Sequence, residues 1–165
     1  MPKTMEHRVD GELFILVHGK GAPSDRDWGA YLQDVRAWAG AIEQMKTMVV
    51  TCGGAPTTAQ RNRLNAILSG RSTRVSVMSS SLLARGATLA LGWLNPGIRV
   101  FSPQNHRRAF DHLFIEADRR KRVLGLIAQM EKALKPARRS AAKRSGVQRT
   151  TQRRPTPAAE KARPG

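Results

Sequence analysis

The fold is decided by a stretch that begins Leu13-Phe14-Ile15-Leu16-Val17-His18-Gly19 and continues to Ser24-Asp25-Arg26-Asp27-Trp28. Its five consecutive apolar residues are typical of a β-strand that is buried on both faces. Ser24 is a good N-cap residue, and the two aspartates after it favour the positive end of a helix dipole. Apolar residues then recur at three- and four-residue spacing as far as Ile42. This spacing predicts one continuous amphipathic helix after the strand.

The same strand-then-helix unit recurs along the chain. Further strands are predicted at Thr47–Thr51, Arg74–Met78 and Ile98–Phe101, with Thr57 or Thr58 capping the second helix and Ser102-Pro103 opening a later one. The predicted buried faces of the later helices are Ala59, Leu64, Ile67 and Leu68; Leu82, Gly86, Leu89, Ala90 and Trp93; Ala109, Phe110, Leu113 and Phe114; and Val123, Leu124, Ile127 and Met130.

This alternation predicts an α/β fold, in which a mainly parallel sheet of four to five strands is covered by helices. Residues 1–10 are predicted to be an N-terminal segment or an edge strand, for instance an antiparallel one. Residues 11–133 form the predicted α/β domain. Residues 134–165 form a tail rich in Lys, Arg, Pro and Ala.

The tail is set apart by its charge. The whole chain carries a formal net charge of +17, and residues 134–165 hold ten Lys and Arg against one Glu. They contain no aromatic residue and only Leu134 and Val147 as large aliphatics, so we expect the tail to be disordered. Such a tail suits a polyanion, and non-specific nucleic acid is one expected partner. An acidic membrane surface, an acidic partner protein and a solubilising extension without a specific role are the alternatives. The polyanion-binding candidates are Arg138, Arg139, Lys143, Arg144, Arg149, Arg153 and Arg154, and the run Arg119 to Arg122 is expected to extend their patch.

Composition excludes several classes of protein. The apolar runs are far shorter than a membrane helix needs, and the first residues lack the apolar core of a signal peptide, so we expect a cytoplasmic protein without a transmembrane segment. One Cys allows no internal disulfide and no Cys-based zinc site. No residue pattern calls for a metal or a cofactor.

The loops that follow the strands are the expected binding region, because parallel sheets bind ligands beyond the carboxyl ends of their strands. All four loops are expected to contribute to one patch. The loop from His18 to Gly21 lacks the spacing of a P-loop, and Gly53-Gly54 is not part of a dinucleotide-binding fingerprint.

Cys52 is interpreted as a buried structural cysteine rather than a nucleophile. His18 and the serines at 79–81 lack the elbow motif of a hydrolase, so no catalytic residue is assigned.

A longer pattern supports a family resemblance. Val75-Ser76-Val77-Met78 leads into Ser81-Leu82-Leu83-Ala84-Arg85-Gly86, and Ile98-Arg99-Val100-Phe101-Ser102 leads into Ala109-Phe110-Asp111-His112-Leu113. In its order of a strand, a helix with Arg-Gly, a strand ending in Val-Phe and a closing helix, residues 11–115 resemble the STAS-like, anti-sigma-factor-antagonist-like (STAS/SEC14-like) bacterial domains.

The resemblance implies a non-enzymatic regulatory or scaffolding domain that binds a protein partner, for example a regulatory kinase-type protein. In such antagonists, phosphorylation at the start of a helix after a central strand is the switch. The matching positions here are Thr57 and Thr58, with Gly53 and Gly54 in the adjoining loop, although the family's Asp-Ser dipeptide is absent. An anion-binding loop and plain helix capping are the alternatives for these residues. The alternative function is a small nucleic-acid-associated protein that binds DNA or RNA non-specifically through its C-terminal tail.

Overall fold

A computed structural model describes residues 3–80 and 97–135 of the chain. Within these residues one sheet has the strand order β1-β2-β3-β4-β5, with β1 at Met5–Asp10, β2 at Leu13–His18, β3 at Lys46–Thr51, β4 at Arg74–Ser79 and β5 at Ile98–Phe101. β1 pairs antiparallel with β2, and the other three pairings are parallel. The predicted α/β class and the antiparallel edge strand within residues 3–10 are confirmed.

Helices lie on both faces of this sheet. The α-helices are α1 at Asp25–Ala37, α2 at Thr58–Leu68, α3 at His106–His112 and α4 at Ala117–Leu134, and two 3-10 helices span Ala39–Gln44 and Pro103–Asn105. The helix predicted around Leu82 to Trp93 and the tail cations from Arg138 to Arg154 lie outside the described residues. No helix in the described ranges is long and apolar enough to cross a membrane.

β2 is an interior strand of the sheet, and all six of its residues are buried. Leu13, Ile15 and Val17 belong to one hydrophobic core, which is completed by α3 and α4. Phe14 and Leu16 belong to the core on the opposite face, beneath α1 and α2. Because successive strand residues point to opposite faces, a strand with helices on both sides has to be apolar throughout. The strand predicted from this run is confirmed.

The first helix is shorter than predicted. α1 ends at Ala37, and the chain continues as a 3-10 helix in which Ala41 has the non-helical angles φ −138° and ψ 30°. Gly40 lies at this break, where its low helix propensity favours the change. Ile42 still reaches the core beneath α1 and is fully buried. The apolar spacing therefore identified the buried residues but not the end of the helix.

Several predicted core positions are exposed instead. Phe114 is 61% exposed and Leu124 is 38% exposed. Phe114 follows the end of α3 with φ 53°, so it no longer shares the buried face of that helix. In α2, Ala59 is exposed and its neighbour Gln60 is buried. Ser102-Pro103 opens a 3-10 turn rather than α3 itself, and Ser102 makes no side-chain cap.

Three cations of the run Arg119 to Arg122 are paired with carboxylates of the folded domain. Arg119 is paired with Asp10 and Glu12, and Arg122 is paired with Asp10. Arg120 is 2.7 Å from a carboxylate oxygen of Asp111. Burial opposes ionisation of Asp10, but the hydrogen bonds from Arg122 and Arg119 outweigh it and lower the pKa of the Asp10 carboxyl. Three of these cations thus hold α4 to the sheet edge and to α3, and their charge is largely neutralised.

Candidate functional site: the strand-end loops

The loops after β2 and β3 are joined through their backbones. The amide of Gly54 donates to the carbonyl of Gly19 at 3.0 Å, and the amide of Cys52 donates to the carbonyl of His18 at 3.4 Å. A Cβ added to Gly54 would lie 2.2 Å from the carbonyl oxygen of Gly21. Glycine is therefore required at position 54 because the two loops approach too closely for any side chain. We call residues 19–22 and 52–58 together the strand-end surface.

Thr51 fixes the turn that carries the second loop. Its hydroxyl accepts from the amide of Gly53 at 3.1 Å and donates to the carbonyl of Gly54 at 2.5 Å. Gly53 has φ 115°, in the region that favours glycine. The predicted anion-loop residues Gly53 and Gly54 thus have structural roles in this turn, and neither role identifies a ligand.

α2 begins at this surface with a capping box. The Thr57 hydroxyl accepts from the Gln60 amide at 3.2 Å, while the Gln60 side chain accepts from the Thr57 amide at 3.0 Å. The two predicted threonines are therefore not equivalent. The Thr57 side chain caps the start of α2. The Thr58 hydroxyl is exposed and accepts a hydrogen bond from the Arg61 guanidinium at 2.9 Å.

Gln60 also ties the starts of α1 and α2 together. Its side-chain amide donates to the carbonyl of Pro23 at 2.9 Å and to the Asp25 carboxylate at 3.2 Å. Its main-chain carbonyl accepts from the indole of Trp28 at 3.0 Å. Our sequence interpretation missed this residue, although the spacing Thr57-x-x-Gln60 is that of a capping box. Its partners on α1 are far away in the sequence and are visible only in the fold.

We expect Gln60→Leu to lower the free energy of unfolding by about 2 to 3 kcal/mol, measured by urea denaturation. Leucine has a similar size but leaves the Thr57 amide and the buried Pro23 carbonyl without their partner. Asn62→Leu makes the same kind of change at an exposed position of α2 and serves as the matched control. Equal urea midpoints for the two variants would contradict this role of Gln60.

The first strand is anchored to the same end of α1. The Asp27 carboxylate accepts from the amide of Thr4 at 2.9 Å and from its hydroxyl at 2.8 Å, and the Ser24 hydroxyl accepts from the Asp27 amide at 3.1 Å. Burial raises the pKa of Asp27, but its hydrogen bonds to Thr4 and Ser24 outweigh this and lower it. The predicted N-cap Ser24 is confirmed.

His18 lies beneath the strand-end surface and is 3% exposed. Its ring packs against Trp28 with centroids 6.4 Å apart, and Nδ1 has no hydrogen-bond partner among the described residues. Burial lowers the pKa of His18 to about 4. The imidazole is therefore neutral near pH 7 and forms part of the packing.

Cys52 was predicted to be buried, and the structure contradicts this, since Cys52 is exposed. It follows the last residue of β3, where the chain turns out of the sheet toward Gly53. Within the described residues no group of three or more His, Cys, Asp and Glu side chains is arranged to hold a metal ion.

The expectation that four strand-end loops form one patch is also corrected. The structure joins the loops after β2 and β3, whereas β5 ends three strand spacings from β2, roughly 14 Å away. The helix after β5 packs on the opposite face of the sheet from α1 and α2. Ser81 lies outside the described residues.

Comparison with known proteins identifies no relative: no protein-family model, no curated protein and no solved structure matches the chain.

Proposed function

We propose that the chain is a STAS-like, non-enzymatic regulatory or scaffolding domain, which binds a protein partner through the strand-end surface and a polyanion through its basic C-terminal arm. The interlocked loops are the observation that carries this proposal. Backbone hydrogen bonds and the contact at Gly54 hold exposed residues of both loops in one arrangement. A preformed surface loses little conformational entropy when it binds a partner.

The strand order adds support for the STAS-like assignment. Each parallel strand lies beside the strand that precedes it in the sequence, and α1 and α2 pack on the same face of the sheet. Of the elements in the resemblance, β4, β5 and the closing helix α3 follow one another in its order, and the helix with Arg-Gly lies outside the described residues. The domain is proposed to act in the cytoplasm.

Thr58 is the proposed site of regulation. A kinase would transfer the γ-phosphoryl group of ATP to the Thr58 hydroxyl, releasing ADP and the hydroxyl proton. The phosphate would add about −1.5 to −2 charge to an exposed surface. Arg61, 2.9 Å from the hydroxyl, and the helix N-terminus would stabilise it there. The surface carries Lys20 and lies next to Arg61, so it is suited to an acidic partner face, which the phosphate would repel.

The test is photo-crosslinking of the full chain in its own host, with a photoreactive amino acid in place of Lys20. We expect a discrete protein adduct, which Thr58→Asp weakens and Thr58→Val retains. The control carries the same photoreactive amino acid in place of Lys121. This residue is exposed on α4, which packs on the face of the sheet opposite α1 and α2. The proposal fails if no protein adduct forms at position 20, or if the same adducts form at both positions.

The charge of the chain favours a second candidate, a small nucleic-acid-associated protein that acts through its tail. Ten of the 29 Lys and Arg residues lie in residues 134–165. If six to eight of them contacted phosphates of duplex DNA, the logarithm of the affinity would fall with the logarithm of the salt concentration with a slope of roughly −5 to −7. In this case the folded domain would only present the tail.

A further inference from the structure

A second surface, distinct from the strand-end surface, lies between β4, β5 and α3. It is a groove of about 390 Å³ at the β5 edge of the sheet. Arg99 on β5 is paired with Ser76 on β4. The Ser76 hydroxyl donates to the carbonyl of Ala109 in α3, so these two positions lie on the face of the sheet that packs against α3. We call this feature the arginine groove, and its lining includes Arg74, Arg99, Phe101, Arg108, His112 and Phe114.

The groove is positively charged. Its three arginines, Arg74, Arg99 and Arg108, are exposed, and none has an ion pair within the described residues. One carboxylate, Asp111, also lines the groove, and Arg120 holds it at 2.7 Å. Arg120 neutralises that carboxylate from outside the groove. The three guanidinium groups therefore determine the net charge of the groove. A polyanion is therefore the complementary ligand.

Phe114 places an aromatic ring at the mouth of the groove. It is 61% exposed, and the guanidinium of Arg74 lies 4.6 Å from its ring centroid. Its backbone has φ 53°. The Phe114 amide donates to the carbonyl of Asp111, and the Ile115 amide donates to the carbonyl of Phe110, each at 3.0 Å. These two bonds form a Schellman cap, in which position 114 favours glycine.

The backbone conformation at position 114 therefore favours glycine over phenylalanine. A phenylalanine in a left-handed conformation is less stable than a glycine, and most of its ring is left in water. Unfavourable backbone conformations persist where the surrounding structure holds them, and they cluster at functional sites. Proteins bind single strands with exposed rings beside cations, because a base stacks on the ring while the cations contact the phosphates. Phe114 and three arginines that have no ion pair within residues 3–80 and 97–135 form this arrangement.

We propose that the arginine groove binds single-stranded nucleic acid, with a base stacked on Phe114 and phosphates on Arg74, Arg99 and Arg108. A duplex keeps its bases stacked inside and offers no free base face to the ring. An acidic peptide or an anionic membrane satisfies the arginines but gives Phe114 no stacking partner. The site belongs to the folded domain and shares no residue with the strand-end surface.

The experiment uses the full chain with the seven tail candidates, from Arg138 to Arg154, changed to glutamine, so that the tail does not mask the groove. Fluorescence anisotropy measures binding of labelled twelve-nucleotide oligo(dT), oligo(U) and a twelve-base-pair duplex. We expect both single strands to bind more tightly than the duplex. Phe114→Gly is expected to weaken single-strand binding by roughly fivefold to a hundredfold. Phe114→Tyr is expected to retain it.

Two further measurements test whether a loss of single-strand affinity comes from lost base stacking on Phe114, from unfolding of the variant or from a general loss of positive charge. Phe114→Gly is expected not to lower the urea midpoint, because glycine suits the left-handed position. Arg99→Gln should reduce the salt slope of single-strand binding by about 0.7, while Arg36→Gln, at an exposed position on α1, should leave the groove's affinity near its starting value. The proposal is overturned if Phe114→Gly binds oligo(dT) as before, if the duplex binds equally well, or if polyglutamate or anionic vesicles compete as effectively as oligo(dT).

Discussion

Gly54→Ala is expected to lower the free energy of unfolding by about 3 kcal/mol or more. The added Cβ would lie 2.2 Å from the carbonyl oxygen of Gly21 and 2.5 Å from that of Gly19. Both neighbours are backbone atoms, so no side-chain rotation relieves the contact. Separating the loops would also break the 3.0 Å hydrogen bond from the Gly54 amide to Gly19. Urea denaturation measures the loss.

Gly21→Ala is the matched control for this substitution. It lies in the partner loop, and a Cβ there meets nothing within 4 Å. Its φ is not positive, so alanine should be tolerated, with a small gain from the lower entropy of the unfolded chain. If Gly54→Ala and Gly21→Ala unfold at the same urea concentration, the loops are not interlocked. The support for a preformed strand-end surface is then lost as well.

Acidification from about pH 7.5 to about pH 4.5 is expected to remove roughly 2 to 3 kcal/mol of stability through His18 alone. Burial lowers the pKa of His18 from 6.5 to about 4 in the folded chain. Between these two values the unfolded chain binds the proton and the folded chain does not. The stabilisation is therefore complete above about pH 6.5 and is lost as the pH falls toward 4.

The measurement is urea denaturation across this pH range for the full chain and for His18→Gln. Because glutamine cannot take up the proton, the variant should show a correspondingly flatter pH dependence. His106→Gln removes an exposed imidazole from the start of α3 and is the control. The carboxyls of Asp10, Glu12 and Asp27 also have lowered pKa values, and their contribution is lost at more acidic pH in all three proteins. A pH dependence that survives unchanged in His18→Gln would contradict the prediction.

The two proposed surfaces belong to different parts of the domain. The strand-end surface lies at the carboxyl ends of β2 and β3, and the arginine groove lies against β4, β5 and α3. A protein partner and a nucleic acid would therefore contact different residues. The substitutions that test one surface leave the other intact, so failure of one proposal does not decide the other.

Much of the fold could be predicted because its signals are local. A five-residue apolar run marked β2, Ser24 marked the start of α1, and the pair Thr57 and Thr58, of which Thr57 is the cap, marked the start of α2. Each of these depends on the periodicity of a strand or on the unpaired amides at a helix start, which involve only neighbouring residues. The end of α1 was wrong because Ile42 continued the apolar spacing although the backbone had already changed to a 3-10 helix.

The candidate site could be predicted only in part. The glycines and threonines of the loop after β3 were identified, and their position at a strand end is confirmed. The burial of Cys52 was wrong, because a cysteine at a strand end becomes exposed as soon as the chain turns out of the sheet. The arginine groove was missed, because Arg74, Arg99 and Arg108 are brought together by strand pairing and by the packing of α3.

The sequence by itself determined the class of the fold, the buried strand β2, the caps of α1 and α2 and the concentration of charge in residues 134–165, since each depends on composition or on the spacing of near neighbours. Only the tertiary structure decided which charged side chains form ion pairs and which line a surface where a ligand could bind. Arg119, Arg120 and Arg122 belong to a basic run of the sequence but are paired with carboxylates, whereas arginines from β4, β5 and α3 line one groove and have no ion pair among the described residues. The physical reason is that electrostatic interactions depend on distance in space, and residues that are distant in sequence become neighbours only through the packing of the sheet and its helices.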